Sequence, residues 1–174
     1  INNENNMIFS PKENPCKIAV QALEGKIILS MIKDSEGNIW IGTFGSGAAK
    51  YDGKSIKFFT KKNGLCNDVV YSVFEDKSKN IWFGTNNGIS KYDGKTFISY
   101  TDIPELENNY ISSIIQSKEG NILFGVNGAG IIHFSFTNNN TEPQIERLHT
   151  QNGLPSNFIA YLHQDKKGNY WIGT

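Results

Sequence analysis

The chain has 174 residues, of which 17 are acidic and 17 are basic, so its formal net charge is zero. This balance does not favour nucleic acid as a partner. With Arg147 as the only arginine, we do not expect the paired guanidinium groups of phosphate clamps and base-reading sites. No run of about 18 apolar residues occurs and no cleavable signal is visible, so we expect membrane contact only through segments outside this sequence.

A block of ten residues occurs four times, starting at residues 34, 76, 117 and 165. Its first copy reads Asp-Ser-Glu-Gly-Asn-Ile-Trp-Ile-Gly-Thr, which is a polar turn followed by a short apolar strand. The spacing of roughly 40 to 50 residues suits one four-stranded propeller blade and is long for a leucine-rich or ankyrin repeat. The repeat therefore predicts an all-β propeller.

The predicted elements begin with residues 7–23, which resemble the last two strands of a blade. The first complete blade, residues 26–60, has strands at 26–33, 39–43, 48–51 and 56–60. The second, residues 69–101, has strands at 69–75, 81–85, 89–92 and 96–101. The third, residues 110–150, has strands at 110–116, 122–126, 130–134 and 144–150, with a polar insertion at 135–143 in place of a two-residue turn. Residues 158–174 supply the first two strands of another blade, 158–163 and 170–174.

The fold expected is a single β-propeller domain of four-stranded antiparallel blades, with three full blades and two half blades. The half blades at 7–23 and 158–174 could complete each other within one chain as a four-bladed ring, or between chains. Alternatively, the sequence is part of a longer propeller. Because unpaired blade edges are prone to aggregation, we expect a homodimer or another strand-completing partner if the ring is not closed.

Two residue types recur inside the repeated strand and predict how blades pack. A glycine stands at positions 42, 84, 125 and 173, where we expect a neighbouring backbone to come too close for a Cβ atom. Trp40, Trp82 and Trp171 are expected to fill the space between adjacent blades. Leu123 takes the tryptophan position in the third copy, so that interface should be the most weakly filled.

Taken together, these motifs resemble the two-component regulator propeller repeat. The resemblance rests on the Asn-Gly-Leu segments at residues 63–65 and 152–154, the tryptophan block, the Tyr-Asp-Gly turn at residues 92–94, and Phe97. It covers residues 18–174. The departures are Lys79, Ser117, Leu123 and Val126.

The resemblance implies a periplasmic ligand-sensing module from the sensor region of a hybrid histidine kinase of the type found in Bacteroides. Members of that family carry one or two seven-bladed propellers and respond to oligosaccharides. By this resemblance the chain is a non-enzymatic fragment without a cofactor, and the kinase lies elsewhere in the parent protein.

Ligand contacts are expected on the propeller face that carries the loop leading into each blade and the loop between its second and third strands. Amide side chains and an aromatic ring on that face suit an uncharged sugar. The candidates are Phe44, Asn67, Asn86, Asn87, Asn127 and Asn157, within a wider set that includes Asn63, Asp68, Asn108, Asn109, Tyr110 and Asn152. The alternative is that these asparagines only shape turns, because asparagine tolerates left-handed backbone.

Other functions stay open at this point. A propeller scaffold for protein contact would need a large exposed apolar patch, and a lyase or hydrolase would need clustered acid, base or metal groups. The acidic pairs considered are Glu75 with Asp76 and Glu105 with Glu107, and the histidines are His133, His149 and His163. The aspartate of each block is expected to shape its turn and not to bind a metal. Cys16 and Cys66 are expected to be free thiols, with a disulfide as the alternative.

Overall fold

The computed structural model describes residues 22–136 and 142–174, together with the backbone of Asn6 and Met7. In these residues the chain forms fifteen β-strands and three short 3₁₀ turns. The turns are Lys61–Asn63, Pro104–Leu106 and Thr150–Asn152. No helix within the described ranges is long and apolar enough to cross a membrane.

The strands form separate small sheets, which confirms the predicted all-β fold. The first sheet contains β2 (Ile28–Lys33), β3 (Ile39–Thr43), β4 (Ala48–Tyr51) and β5 (Ile56–Phe59). The second contains β6 (Val70–Glu75), β7 (Ile81–Thr85), β8 (Ile89–Tyr92) and β9 (Phe97–Tyr100). The third contains β10 (Ile111–Gln116), β11 (Ile122–Val126), β12 (Gly130–Ser135) and β13 (Gln144–Leu148). Within each sheet, consecutive strands pair antiparallel in chain order.

The two ends of the chain differ in part from the predicted half blades. At the carboxyl end, β14 (Tyr161–Gln164) pairs with β15 (Tyr170–Gly173) as expected. β14 starts later than the predicted residue 158, because Phe158 forms only an isolated bridge with Asn127. At the amino end, β1 (Asn6–Met7) adds a fifth strand to the first sheet beside β5. Most of the predicted half blade 7–23 lies outside the described residues, and Leu23 lies in a turn instead of a strand.

A hydrogen-bonded turn joins the first and second strands of each blade. In the first blade, one carboxylate oxygen of Asp34 accepts the backbone N–H groups of Glu36 and Asn38 at 3.0 and 2.8 Å. Its other oxygen accepts the side-chain amide of Asn38 and the indole N–H of Trp40, both at 2.8 Å. The same four bonds recur around the block's aspartate in the second blade and in the carboxyl-terminal half blade. The aspartate therefore shapes the turn, as predicted, and also fixes the tryptophan.

Trp40 and Trp82 fill the space between blades, which confirms the role predicted for them, whereas Trp171 is 64% exposed. Trp40 packs against Phe83 and Tyr92 of the second blade, with ring centroids 5.7 and 5.9 Å apart. Trp82 packs in the same way on Phe124 and Phe134 of the third blade, at 5.6 and 6.3 Å. Burying such aromatic surface between sheets is what holds neighbouring blades together.

The glycine of each repeated strand lies against the first strand of the following blade. A Cβ atom on Gly42 would come within 2.7 Å of the Val70 carbonyl oxygen. One on Gly84 or Gly125 would meet the methyl group of Ile111 or Ile159 at 2.6 or 2.7 Å. These distances are shorter than side-chain contacts allow, so the clash expected for a Cβ atom is confirmed at these three positions. A neighbouring backbone atom causes it at Gly42, as predicted, whereas an isoleucine side chain causes it at Gly84 and Gly125.

The interface after the third blade is the weakly filled one. A cavity of about 340 Å³ lies there, lined by Leu123 together with Ile131, Leu148, Leu162 and Ile172. Leu123 stands where the other blades carry an indole. The sheet on the other side of the cavity contains only β14 and β15 among the described residues, so it supplies no third or fourth strand to fill this space. The weak filling expected from Leu123 itself therefore stays a prediction.

Candidate functional site

The loops predicted to share one face of the propeller are hydrogen-bonded to one another across blades. The carbonyl oxygen of Asp68, in the segment leading into the second blade, accepts the N–H groups of Gly45 and Gly47 at 3.0 and 2.8 Å. The carbonyl oxygen of Asn157 accepts those of Gly128 and Gly130 in the same arrangement, both at 3.0 Å. The loop between the second and third strands of one blade is thereby tied to the segment that leads into the next blade.

Two of the six candidate residues use their side chains to build these loops. The side-chain oxygen of Asn67 accepts the N–H of Val69, and that of Asn157 accepts the N–H of Thr150, each at 2.8 Å. In the wider set, Asn63, Asn109 and Asn152 also bond to nearby backbone, and Asp68 accepts the N–H of Lys61. At these positions the side chain shapes a turn, which is the alternative that the sequence left open.

The other four candidates have their side chains available. Phe44 is 54% exposed, and the side-chain amides of Asn86, Asn87 and Asn127 have no hydrogen-bond partner among the described residues. Phe44, Asn86 and Asn127 occupy the same position in their blades, directly after the second strand. The structure therefore brings one aromatic ring and unpartnered amides to the same face of successive blades.

A stacked pair of tyrosines lies on this face. The rings of Tyr71 and Tyr110 stand 4.3 Å apart at an interplanar angle of 24°, joining the second blade to the third. Tyr110 is bonded to the candidate loop, since its carbonyl oxygen accepts the N–H of Asn127 at 3.0 Å. Both side chains are half-buried, so part of each ring faces outward.

Sequence reasoning included Tyr110 but missed Tyr71. Tyr71 lies in β6, where the register with β7 shifts between Val70 and Ser72, so it is the extra residue of a β-bulge. Bulges redirect a side chain out of the regular alternation of a strand. The same shift occurs at the first strand of the first and third blades, where the bulged residues are Leu29 and Ser112. The sequence signal that could have identified Tyr71 as a candidate is an aromatic residue at this recurrent bulge position.

Three of the four acidic side chains considered for catalysis, those of Glu75, Asp76 and Glu105, are held in structural contacts. Glu75 accepts the backbone N–H and the hydroxyl of Ser35 in the preceding blade, at 2.7 and 2.8 Å. Glu105 forms an ion pair with Arg147, and the imidazole of His133 lies 3.1 Å from Glu146. No group of three or more histidine, cysteine or acidic side chains suited to a metal ion occurs within the described ranges.

Hydrogen bonding keeps Asp34 and Asp165 ionised. Burial raises the pKa of Asp34, but hydrogen bonds from Asn38 and Trp40 outweigh this effect and hold the pKa below its usual value. At Asp165, where the side-chain amide of Asn169 contributes most, the pKa falls to about 2. These carboxylates are engaged acceptors, which makes them unsuitable as general acids or bases near neutral pH.

Cys66 is a free thiol in the second blade. Its sulfur accepts the hydroxyl of Ser90 at 3.0 Å and lies 3.2 Å from the hydroxyl of Thr85. Cys16, the other half of the alternative disulfide, lies outside the described residues.

A family model described as "Two component regulator propeller" matches residues 22–45, 64–87 and 153–174. These three segments match the two-component regulator propeller repeat. The matched segments contain three of the four tryptophan blocks wholly or in part. The third block, with Ser117 and Leu123, lies outside them.

Proteins of two-component systems are among the relatives of the chain. Histidine kinase P4 of Formosa agariphila is 36% identical over 63 residues, which are 33% of this chain and 5% of that protein. The extracellular domain of the hybrid two-component system BT3049 from B. thetaiotaomicron is 25% identical with a TM-score of 0.75, over 97% of this chain and 22% of that one. The chain thus spans about a fifth of the solved relative and a small fraction of the curated kinase.

The propeller fold also occurs in an enzyme. Virginiamycin B lyase from Staphylococcus aureus has a TM-score of 0.64 and 18% identity, over 83% of this chain and 48% of the lyase. At this identity the likeness concerns the fold alone.

Proposed function

We propose that this chain is the ligand-sensing part of an extracytoplasmic two-component sensor and that it binds a neutral oligosaccharide without chemical turnover. The observation that carries the proposal is the stacked pair Tyr71 and Tyr110 beside the unpartnered amides of Asn86 and Asn127. The family of the repeats and the relatives in two-component systems support the signalling role.

Each part of this face suits one part of a sugar ring. An aromatic ring offers a flat apolar surface for the C–H face of a pyranose. Each free asparagine amide offers two N–H donors and one carbonyl acceptor, which match hydroxyl groups that both donate and accept. A neutral ligand is favoured because the nearby charged candidate, Asp68, already accepts a backbone hydrogen bond from Lys61.

Binding would act on a larger receptor by shifting a pre-existing equilibrium between two arrangements of a sensor dimer. Only a ligand that binds one arrangement more tightly than the other can change the output. In this proposal the propeller contributes recognition and the kinase lies elsewhere in the parent protein. The location is periplasmic, in line with the extracellular domain of the solved relative.

The test is isothermal titration calorimetry of this chain with a panel of neutral oligosaccharides. We expect Tyr110→Ala and Asn127→Ala each to weaken binding about tenfold, because each removes one stacking or amide contact. Tyr110→Phe keeps the ring and should retain most of the affinity. Tyr170→Ala, which removes an exposed tyrosine from β15, serves as the control and should bind normally.

If no neutral oligosaccharide binds, or if Tyr170→Ala weakens binding as much as Tyr110→Ala, the proposed sugar face is wrong. Conversion of the oligosaccharide during the titration, detected by chromatography, would favour a lyase or hydrolase instead.

A further inference from the structure

A second cavity lies away from the tyrosine face, between the outer strands of the first blade and the second blade. Its volume is about 330 Å³, which is at the lower end of the range for small-ligand sites. The wall from the first blade includes Lys50, Lys57 and Phe59, and Tyr92 lies on the side of the second blade. Its mixture of lysine and aromatic side chains differs from the apolar cavity beside Leu123.

The two lysines stand directly opposite each other on neighbouring strands. Lys50 in β4 is the register partner of Lys57 in β5, and the two side chains lie on the same face of the sheet. Like charges directly opposite on a sheet are destabilising. Neither ammonium group has a carboxylate within 4.0 Å in the described part of the chain, so nothing there neutralises the pair.

Aromatic rings hold both ammonium groups in place. The Lys50 nitrogen lies 5.3 Å from the centroid of the Trp40 ring, and the Lys57 nitrogen lies 5.1 Å from that of Phe59. Among residues 22–136 and 142–174, neither ammonium has an oxygen acceptor for its N–H donors. Asp52, which also lines the cavity, accepts two backbone N–H groups and the hydroxyl of Ser55, so its carboxylate is engaged in its own turn.

The other two blades show that the architecture does not require this pair. At the same register the second blade pairs Lys91 with Ile98, and the third pairs His133 with Glu146. In the second blade the lysine nitrogen lies 5.6 Å from the ring of Phe136, which occupies the corresponding region. Among these three strand pairs, which all lie in the described residues, the pair in the first blade opposes two cations, and it does so in an open cleft.

We propose that this cleft, formed by Lys50, Lys57 and Tyr92, binds an anionic sugar unit whose carboxylate or sulfate group lies between the two ammonium groups. The anion removes the repulsion between the lysines and accepts charge-assisted hydrogen bonds from both. The half-buried ring of Tyr92 provides an apolar wall for the sugar ring, which distinguishes the site from a simple anion site. This site is separate from the neutral-sugar face and does not depend on it.

The experiment titrates this chain with an oligomer of glucuronic acid, a neutral glucose oligomer of equal length, and inorganic sulfate. Chemical shifts of the lysine and tyrosine side chains report the location of binding. We expect saturable binding of the glucuronic acid oligomer that weakens with added salt, since exposed charges are screened. Binding of the other two probes at this cleft should be at least about tenfold weaker.

Variants separate the lysine pair from total charge. Lys57→Ile copies the pair found in the second blade and should weaken binding of the acidic oligomer at least about tenfold, because it removes one of two charged contacts. Lys91→Ile removes one lysine charge from the second blade, at the position that Lys50 has in the first blade, and should leave the affinity unchanged. Lys57→Gln is the alternative if the isoleucine variant does not fold.

Unchanged affinity in both Lys57 variants would overturn the proposal, as would equal losses in Lys57→Ile and Lys91→Ile. Inorganic sulfate binding as tightly as the acidic oligomer would contradict recognition of a sugar. Tyr110→Ala should not change binding in this cleft, so failure of the neutral-sugar proposal can be recognised separately.

Discussion

Replacing Asp76 with asparagine tests whether the buried indole hydrogen bond stabilises a blade. One carboxylate oxygen of Asp76 accepts two backbone N–H groups, and the other accepts the side-chain amide of Asn80 and the indole of Trp82, both at 2.8 Å. In the variant, an NH₂ group takes the place of one oxygen. In either orientation of the new amide, its NH₂ group faces N–H donors that the carboxylate of Asp76 had accepted.

The expected loss follows from the burial of the indole. Trp82 is only 1% exposed, so water cannot replace the missing acceptor. A buried donor without a partner costs about 1–3 kcal/mol, and hydrogen bonds to a charged acceptor contribute about 1.5–3 kcal/mol. We therefore expect Asp76→Asn to lower the free energy of unfolding by about 3 kcal/mol, which corresponds to a fall in Tm of roughly 10 °C for a domain of this size.

Urea denaturation followed by circular dichroism measures the change, and the half blade provides a matched control. Asp165 accepts the same set of hydrogen bonds, but its partner Trp171 is 64% exposed and its indole nitrogen lies at 3.3 Å. Water can satisfy that indole, so Asp165→Asn should shift the urea midpoint much less than Asp76→Asn. Equal shifts in the two variants would refute the argument from burial.

Two further predictions follow from the same packing. Gly84→Ala should lower the free energy of unfolding by about 1–3 kcal/mol, because its Cβ would meet a methyl group of Ile111 at 2.6 Å. Gly173→Ala, whose nearest neighbour is at 3.7 Å, should have little effect in the same urea titration. The second prediction concerns pH. The pKa values of Asp34 and Asp165 are lower in the folded protein than in the unfolded chain, so both carboxylates stabilise the fold above about pH 4. This stabilisation is lost as the pH falls through the folded pKa, which for Asp165 is about 2. Urea midpoints measured from pH 7 to pH 2 should therefore fall only at the acidic end, and a rise on acidification would contradict the assignment.

The fold was predictable because single residues in each repeat determine how neighbouring blades pack. A glycine is needed wherever a blade meets the next one, and a tryptophan is needed to fill the gap, so both recur at fixed positions. The strands β3, β7, β8 and β11 accordingly have the bounds expected from the sequence. The start of β14 was wrongly predicted at residue 158, because phenylalanine is common in strands but Phe158 makes only an isolated bridge.

The candidate site was only partly predictable, because asparagine has two roles that composition does not separate. Asn67 and Asn127 look alike in the sequence, yet the first bonds to backbone and the second has no partner among the described residues. The stack of Tyr71 on Tyr110 depends on a β-bulge, whose register shift is a property of two strands together. A single sequence gives each strand but not this pairing.

The third repeat shows how a blade can lose its tryptophan without leaving a polar group unsatisfied. It changes both partners of the indole bond, with Ser117 at the aspartate position and Leu123 at the tryptophan position. The serine hydroxyl still accepts the backbone N–H of Asn121 at 3.2 Å, so the turn persists. Removing both partners of a buried hydrogen bond can be nearly neutral, whereas removing one is costly. The exchange therefore leaves no indole donor without an acceptor, and its cost lies in packing, because leucine fills less space than an indole.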